Sequence, residues 1–207
     1  MSLSDTLSAG LVELGITLDQ GTQQRLLQYI ALMEKWTGVY NLTAVREQSK
    51  MIGHHLLDSL AVLPYINADS LIDVGSGAGL PGIPLALARP EMRVTLLDSN
   101  HKKTTFLQQA CIELKLNNIS VINERVEAFQ PPVGFDAVIS RAFTDLSEFV
   151  KLTRHLLTPG GAWLAMKGLH PYEELAQLPE EARVEQVVPL TVPGLDAKRH
   201  LIILREG

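Results

Sequence analysis

A mostly parallel, doubly wound α/β sheet with a helical extension at its N-terminus is what this 207-residue chain specifies. Three observations lead there. From residue 70 onward, short apolar runs alternate with segments of helical period, the pattern of parallel strands joined by covering helices. The first of those runs, Leu71-Ile-Asp-Val74, ends beside an acid and is followed by glycines at alternate positions, Gly75, Gly77 and Gly79. Before residue 70, leucines recur at helical spacing and no strand signal is convincing. The chain is thus expected to consist of a helical extension over residues 1–66, packed on a sheet domain over residues 67–207.

Each element has its own justification. Leu3, Leu7, Leu11 and Leu14 form one helical stripe. Leu26, Leu27, Ile30 and Met33 form a second that ends near Trp36, and Met51, Ile52, Leu56, Leu60 and Leu63 form a third. Leu71–Val74 is the first strand. Pro81, Gly82 and Pro84 then open a helix to about Arg89, because proline is tolerated in a first turn. Arg93–Leu97 is the second strand and stops at Asp98; a helix follows over His101–Lys115, with Phe106, Leu107, Ala110 and Leu114 on one face. Ile119–Ile122 and Phe135–Ile139 are the third and fourth strands, and a helix runs from Leu146 to Leu157. Thr158-Pro-Gly-Gly reads as a turn into a fifth strand, Gly161–Met166, and a short helix spans Pro171–Gln177. Val184–Val192 and Arg199–Leu204, separated by Pro193-Gly-Leu-Asp, read as a terminal antiparallel pair.

Composition narrows the setting. Hydrophobic residues make up 46% of the chain, enough for a sizeable core, yet no apolar run approaches the ~18 residues that span a bilayer. The first residues carry no basic stretch followed by an apolar core, so they do not read as a signal peptide. Cys111 is the sole cysteine, which rules out an intrachain disulfide and fits a reduced cytoplasm; its place in a helical pattern suits a small apolar residue. In that compartment Asn41-Leu-Thr43 is not a glycosylation site, and Asn41 and Thr43 read as helix terminators or caps. A formal net charge of −5 argues against a general nucleic-acid coat but leaves room for a local basic face. The six histidines lack metal-ligand spacing, and the adjacent His54 and His55 diverge on a helix. No bound metal is expected.

In a doubly wound sheet, ligands bind beyond the carboxyl ends of the strands. The informative residues fall there. Bare backbone at Gly75 and Gly77 can approach a ligand closely. Gly77-Ala-Gly-Leu-Pro-Gly82 also satisfies the dinucleotide pattern G-x-G-x-x-G. Counted from the strand end, however, Gly75 is the first glycine and the pattern fails at Leu80. Pro81 and Pro84 remove N–H donors that a phosphate would need. Asp73 would repel a pyrophosphate and attract an ammonium group such as that of S-adenosylmethionine. A methyl donor is therefore the favoured ligand. Asp98, ending the second strand, can accept from both ribose hydroxyls; an ordinary surface acid is the alternative. Backbone at Val126 and Glu127 can read the adenine edge. The loop after the fourth strand, Ser140-Arg-Ala-Phe143, points at the reacting methyl. It lacks both the Asp/Asn-Pro-Pro-Tyr/Phe pattern of amino-group methylation and the cysteine of cytosine C5 methylation. Guanine N7, which has a lone pair and no proton to lose, fits such a loop.

The chain closely resembles the RsmG family, also called glucose-inhibited division protein B. The resemblance spans nearly the whole chain. It is carried by Trp36, Tyr40-Asn-Leu-Thr43, Val45-Arg46, His55-Leu-Leu-Asp-Ser59, Ile72-Asp-Val-Gly75, Gly79-Leu-Pro-Gly-Ile-Pro84, Leu96-Leu-Asp-Ser99, Arg125-Val-Glu127, Ser140-Arg-Ala-Phe143, Lys167-Gly168 and Arg199-His-Leu201. It implies a Rossmann-like class I methyltransferase fold and methyl transfer from S-adenosylmethionine, with S-adenosylhomocysteine as product. The acceptor it implies is N7 of a guanine in the 530 loop of 16S ribosomal RNA. It also implies donor contacts at Gly75, Leu80, Val126, Glu127 and Arg141. His54 departs from the arginine common in relatives, which would make an RNA contact there weaker and pH-dependent.

On this reading the protein holds the acceptor in line with the S–CH₃ bond, and no general base is expected. Asp73 would hold the donor's ammonium, directly or through water. Arg141 would orient either the donor carboxylate or an RNA phosphate. Arg46, Lys102, Arg125, Lys167 and Arg199 are candidate phosphate contacts; each is equally readable as a solvated charge. Trp36 and Tyr40 read as packing the extension onto the sheet, with base stacking as the alternative. Asp58 and Ser59 read either as cleft lining or as structural caps. The expected partner is 16S ribosomal RNA or the small ribosomal subunit, with no membrane and no obligate protein partner. A methyltransferase of small molecules or proteins, and a donor-binding module without transfer chemistry, are the competing functions.

Overall fold

The computed structural model describes residues 2–207. Two long helices open the chain. Helix α1 (Leu3–Glu13) starts in a reciprocal capping box between Ser2 and Asp5, and α2 (Gln20–Tyr40) starts where the Asp19 carboxylate accepts from the Thr22 N–H. Asn41 ends α2 in the left-handed region, φ 50°, the C-capping conformation that asparagine tolerates better than most residues. The third leucine stripe is not one α-helix. It comprises α3 (Gln48–Met51), a wider π-helical stretch over Ile52–Leu57, and α4 (Asp58–Leu60).

Seven strands follow: β1 (Ser70–Val74), β2 (Arg93–Leu97), β3 (Ile119–Ile122), β4 (Phe135–Arg141), β5 (Leu157–Lys167), β6 (Ala182–Leu190) and β7 (Arg199–Glu206). Between them lie α5 (Gly82–Ala88), α6 (His101–Glu113), α7 (Leu146–Thr153) and α8 (Tyr172–Ala176). The strand order is β3-β2-β1-β4-β5-β7-β6, with β7 antiparallel to both neighbours and the remainder parallel. This is the mixed α/β sheet of class I methyltransferases, with the expected antiparallel end.

Period-two alternation divides the strand residues between two cores. Leu71, Leu96, Ile139, Leu164 and Ile203 face one side, where α1, α2, the π-helical stretch, α5 and α6 pack. Ile72, Leu97, Val138, Trp163 and Ile202 face the other, under α7 with Phe149 and Val150. Leu7, Leu26, Tyr29 and Met33 of the first two helices thus share one core with the sheet. Trp36 packs on Phe106 of α6 at 5.9 Å between ring centroids, the packing role expected of it. Cys111 is half-buried on α6, and burial pushes its thiol up to about 11.

Several boundaries differ from expectation. Strand β5 begins at Leu157, because Leu157 already pairs with Phe135 of β4 across a register shift. Helix α7 stops at Thr153, whose hydroxyl donates to the Phe149 carbonyl and accepts from the Trp163 indole. A 3₁₀ turn over Arg154–Leu156 then enters the strand. No helix of the described residues is long and apolar enough to cross a membrane.

Candidate active site

The sheet reverses its strand order between β1 and β4, and a cleft of about 320 Å³ opens at the strand ends there. Its walls come from four consecutive strand exits. Val74 ends β1 and Gly75 follows it, Leu97 ends β2 and Asp98 and Ser99 follow it, Glu124–Glu127 follow β3, and Ala142 and Phe143 follow β4. Lys103 of α6 completes the rim.

Gly75, the first residue of the glycine loop, lines it. Gly75 has φ +69°, and a Cβ there would lie 2.8 Å from the Phe143 ring, so only glycine lets the loop and the β4 exit meet. The loop's N–H groups are turned inward. Gly75 and Ser76 donate to the Leu97 carbonyl, Gly79 and Leu80 to the Ser76 carbonyl, and Gly77 to the Asp98 carboxylate at 2.9 Å. The first turn of α5 is spent as well. Gly82 N–H donates to Asp73 Oδ2 at 2.8 Å, Ile83 donates to the Gly79 carbonyl, Pro84 has no N–H, and Leu85 donates to the Pro81 carbonyl. Tyr29 of α2 donates its hydroxyl to the Ala78 carbonyl, fastening the loop from the helical side. The carbonyls of Gly75 and Gly77 receive no hydrogen bond among the described residues.

Of the donor contacts expected from the sequence, Gly75, Asp98, Val126 and Glu127 come together in this cleft. Asp98 is buried, and each of its carboxylate oxygens holds one backbone donor, Gly77 N–H or Asn100 N–H. An oxygen with one donor keeps acceptor capacity for another. Gly77 reaches the cleft only through Asp98. Leu80 is buried in the core beneath the loop. Asp73 is fully buried, with Oδ1 lacking any partner. Burial pushes its carboxyl up from 3.8 to about 7, while the Gly82 N–H and, more weakly, Arg141 act in the opposite direction.

Arg141 does not line the cleft. At the end of β4 its Nη1 donates to the His54 carbonyl and to Asp58 Oδ2, both at 3.1 Å. Arg199 donates Nε to Asp58 Oδ1 at 2.8 Å. Asp58, with a side chain only 2% exposed, therefore ties the π-helical region to β4 and β7. This is a structural role for Asp58, and Ser59 is wholly buried with no partner for its hydroxyl. Beside them, His55 Nε2 meets the Thr43 hydroxyl at 2.8 Å, and burial lowers the imidazole to about 4, leaving it neutral.

The basic candidates separate into two groups. Lys167 is occupied by Glu174 and the Thr144 carbonyl, and Arg199 by Asp58. Lys102 and Arg125 are exposed and make no ion pair among the described residues; Arg125 is on the cleft rim. Arg46 makes no ion pair either, but hydrogen-bonds Asn41 Oδ1 at 3.1 Å. Lys103 and Phe143 are cleft residues that sequence reasoning did not single out. Phe143 stood inside a quoted motif, whereas Lys103 carried no signal beyond its position after the second strand. The described residues contain no cluster of histidine, cysteine, aspartate or glutamate suited to a metal.

The cleft fits S-adenosylmethionine better than a phosphate-bearing ligand. It offers a buried acceptor carboxylate at Asp98, apolar surface at Val126 and Phe143, and at Gly75 a backbone N–H already bonded to the Leu97 carbonyl where a phosphate would need a free donor.

Comparison with known proteins agrees. A family model described as rRNA small subunit methyltransferase G matches residues 22–202. Ribosomal RNA small subunit methyltransferase G of Laribacter hongkongensis is 57% identical over 204 residues, covering 99% of each chain. Its counterpart in Pseudomonas aeruginosa PAO1 is 55% identical and covers 98% of this chain and 95% of its own. Among solved structures, TrmN from Thermus thermophilus superposes with TM-score 0.56 at 16% identity, over 76% of this chain and 49% of that one. The ribosomal protein L11 methylase of Lactobacillus delbrueckii subsp. bulgaricus does so with TM-score 0.55 at 11% identity, over 72% and 76% respectively. Those two likenesses speak to the fold. The relatives and the family model speak to descent, and on them this chain belongs to the rRNA small subunit methyltransferase G family.

Proposed function

We propose that this methyltransferase transfers a methyl group from S-adenosylmethionine to N7 of a guanine in the 530 loop of 16S ribosomal RNA, acting in the cytoplasm. The observation that carries the donor assignment is the glycine loop in which the N–H groups of Gly75, Ser76, Gly77, Gly79 and Leu80 are already bonded, set beside the buried Asp98 carboxylate. Family membership carries the RNA assignment. Bound in the cleft, S-adenosylmethionine would supply a sulfonium methyl that is already an activated electrophile.

The chain's own residues then have positioning roles. Asp98 accepts from the ribose hydroxyls, and backbone at Val126 and Glu127 reads the adenine edge. Backbone at Gly75 lies against the donor, Gly77 acts through Asp98, and Asp73 beneath the loop draws the ammonium. Leu80 shapes the loop from below. Arg141, held by Asp58, fixes the β4 exit where acceptor and methyl meet. Guanine N7 loses no proton on attack, so the reaction requires no general base. Holding the two reactants in line can lower the barrier by up to about 7–11 kcal/mol. Lys102, Lys103 and Arg125 offer positive charge to phosphates beside the cleft, with Arg46 in the segment between α2 and α3.

The test is transfer of labelled methyl to ribosomal RNA, protein and metabolite fractions, followed by nucleoside analysis. Label confined to RNA, recovered as 7-methylguanosine, is expected. Label in protein or small molecules, or a different methylated nucleoside, overturns the assignment. Donor binding with no transfer to any fraction would indicate a binding module.

A further inference from the structure

The same edge of the sheet carries a second concavity that the donor cleft does not use. It lies where the end of β5 meets the start of β7, Lys167 pairing with His200, and has a volume of about 570 Å³. Leu169, His170 and Tyr172 form one wall; Lys198, Arg199 and His200 form another. The His170 and Tyr172 rings stack at 3.8 Å between centroids, and His200 meets His170 edge-on at 5.4 Å. Leu169 and Tyr172 are 73% and 74% exposed, an unusual outlay of apolar surface. No carboxylate lines this groove, although the whole chain carries a net charge of −5. Of the acids close by in sequence, Glu174 is bonded to Lys167 and to the Leu146 N–H, while Glu173 and Asp196 are exposed and stand outside the lining.

An aromatic platform beside a free lysine, Lys198, with no acid in its lining, suits single-stranded nucleic acid. A phosphate pairs with the lysine and an unstacked base lies on the ring. Position supports the same conclusion. Lys167 reaches from β5 to the Thr144 carbonyl in the loop after β4, and Ala142 and Phe143 of that loop line the donor cleft. The groove and the cleft therefore flank one loop. We propose that this groove receives an unpaired nucleotide of the substrate RNA next to the methylated guanine. Its base stacks on Tyr172 and its phosphate is held by Lys198. The proposal rests on the RNA reading above and adds a second contact surface to it.

The experiment uses small ribosomal subunits lacking the modification and the exposed-residue variants Tyr172→Ala, Tyr172→Phe and Lys198→Ala. Tyr172→Ala should raise KM for subunits about tenfold, the loss of one stacked base, with donor affinity and kcat unchanged. Tyr172→Phe should retain wild-type KM, because it keeps the ring. Lys198→Ala should reduce the slope of log affinity against log salt by about 0.7, the loss of one single-strand phosphate contact. A photoreactive benzoylphenylalanine at position 172 should crosslink to 16S RNA near the methylated guanine. Unchanged KM in both alanine variants overturns the groove while leaving the function standing. Crosslinking to a ribosomal protein also overturns it, by identifying a protein occupant. A wild-type protein that labels no RNA overturns the function and the groove together.

Discussion

Neutralising Asp58 is the sharpest probe of how this site is held together. Its carboxylate accepts from Arg141 at 3.1 Å and from Arg199 at 2.8 Å while its side chain is only 2% exposed. Asp58→Asn keeps the shape but leaves one oxygen for two guanidinium groups and turns an NH₂ toward N–H donors. Removing one partner of a fully buried ion pair costs about 3–5 kcal/mol. Here the arginine side chains are 26% and 24% exposed and regain some hydration, so about 2–3 kcal/mol is the reasonable expectation. For a chain of this size that is a fall in melting temperature of about 4–12 °C. Thermal and urea denaturation of Asp58→Asn measure it. The coupling is isolated by adding Arg199→Met: the double variant should lose less than the sum of the single losses, by about 1–3 kcal/mol. A single-variant loss below about 0.5 kcal/mol, or strict additivity, would show that these contacts do not fasten β4 and β7 to the helical region, and the reasoning fails.

Two further expectations follow from buried acids and a buried imidazole. Asp98→Ala should weaken donor binding about tenfold or more by calorimetry, since two hydroxyl bonds to a charged acceptor are lost; unchanged affinity removes Asp98 from the site. Asp73 and His55 should give stability opposing pH dependences. Burial raises Asp73 from 3.8 to about 7, so the folded protein keeps a proton the unfolded chain sheds, and its contribution is lost as pH rises through that window. Burial lowers His55 from 6.5 to about 4, so its contribution is present above 6.5 and lost as pH falls toward 4. Each effect has a ceiling of about 3–5 kcal/mol, and between pH 4 and 6.5 they largely cancel. Asp73→Asn should therefore steepen the loss of stability toward acid, and His55→Gln should uncover a decline toward neutrality. Denaturation curves that track the wild type at every pH would contradict both assignments.

What the sequence made legible was whatever depends on local period and on strand ends. The core strands alternate between two faces, and the acids and glycines that line the cleft all stand directly after strands. Arg141 shows the limit. Its place at the end of the fourth strand was readable, but its partner Asp58 lies 83 residues away, and Arg199 is 141 residues from the same carboxylate. No periodicity encodes a contact of that kind. The π-helical stretch was equally hidden, because the spacing of Met51, Ile52, Leu56 and Leu60 suits either helix. There the close approach of Gly53 to the Gly194 carbonyl, within 3.1 Å of where a Cβ would stand, belongs to the tertiary fold. Thr158-Pro-Gly-Gly carried a turn signal that survives inside β5 as an irregularity, where the pairing with β4 jumps from Leu157 to Ala162 and Gly160 has φ +80°.

The glycine loop shows how an expectation from sequence can rest on an incomplete cause. From sequence, Asp73 disfavours a pyrophosphate by repulsion. In the structure its carboxyl is fully buried and burial pushes it up to about 7, which weakens any argument from its full charge. Discrimination comes instead from where the donors go. Asp73 takes the Gly82 N–H, Asp98 takes the Gly77 N–H, and strand and loop carbonyls take those of Gly75, Ser76, Gly79 and Leu80. A phosphate entering this loop would have to break several of these bonds, at about 1 kcal/mol or more each, and then lie against carbonyl oxygens. An ammonium would meet those same oxygens as ready acceptors. The acids at the ends of β1 and β2 thus select the ligand by consuming the backbone donors around them, and that selection survives even when one of the acids is protonated.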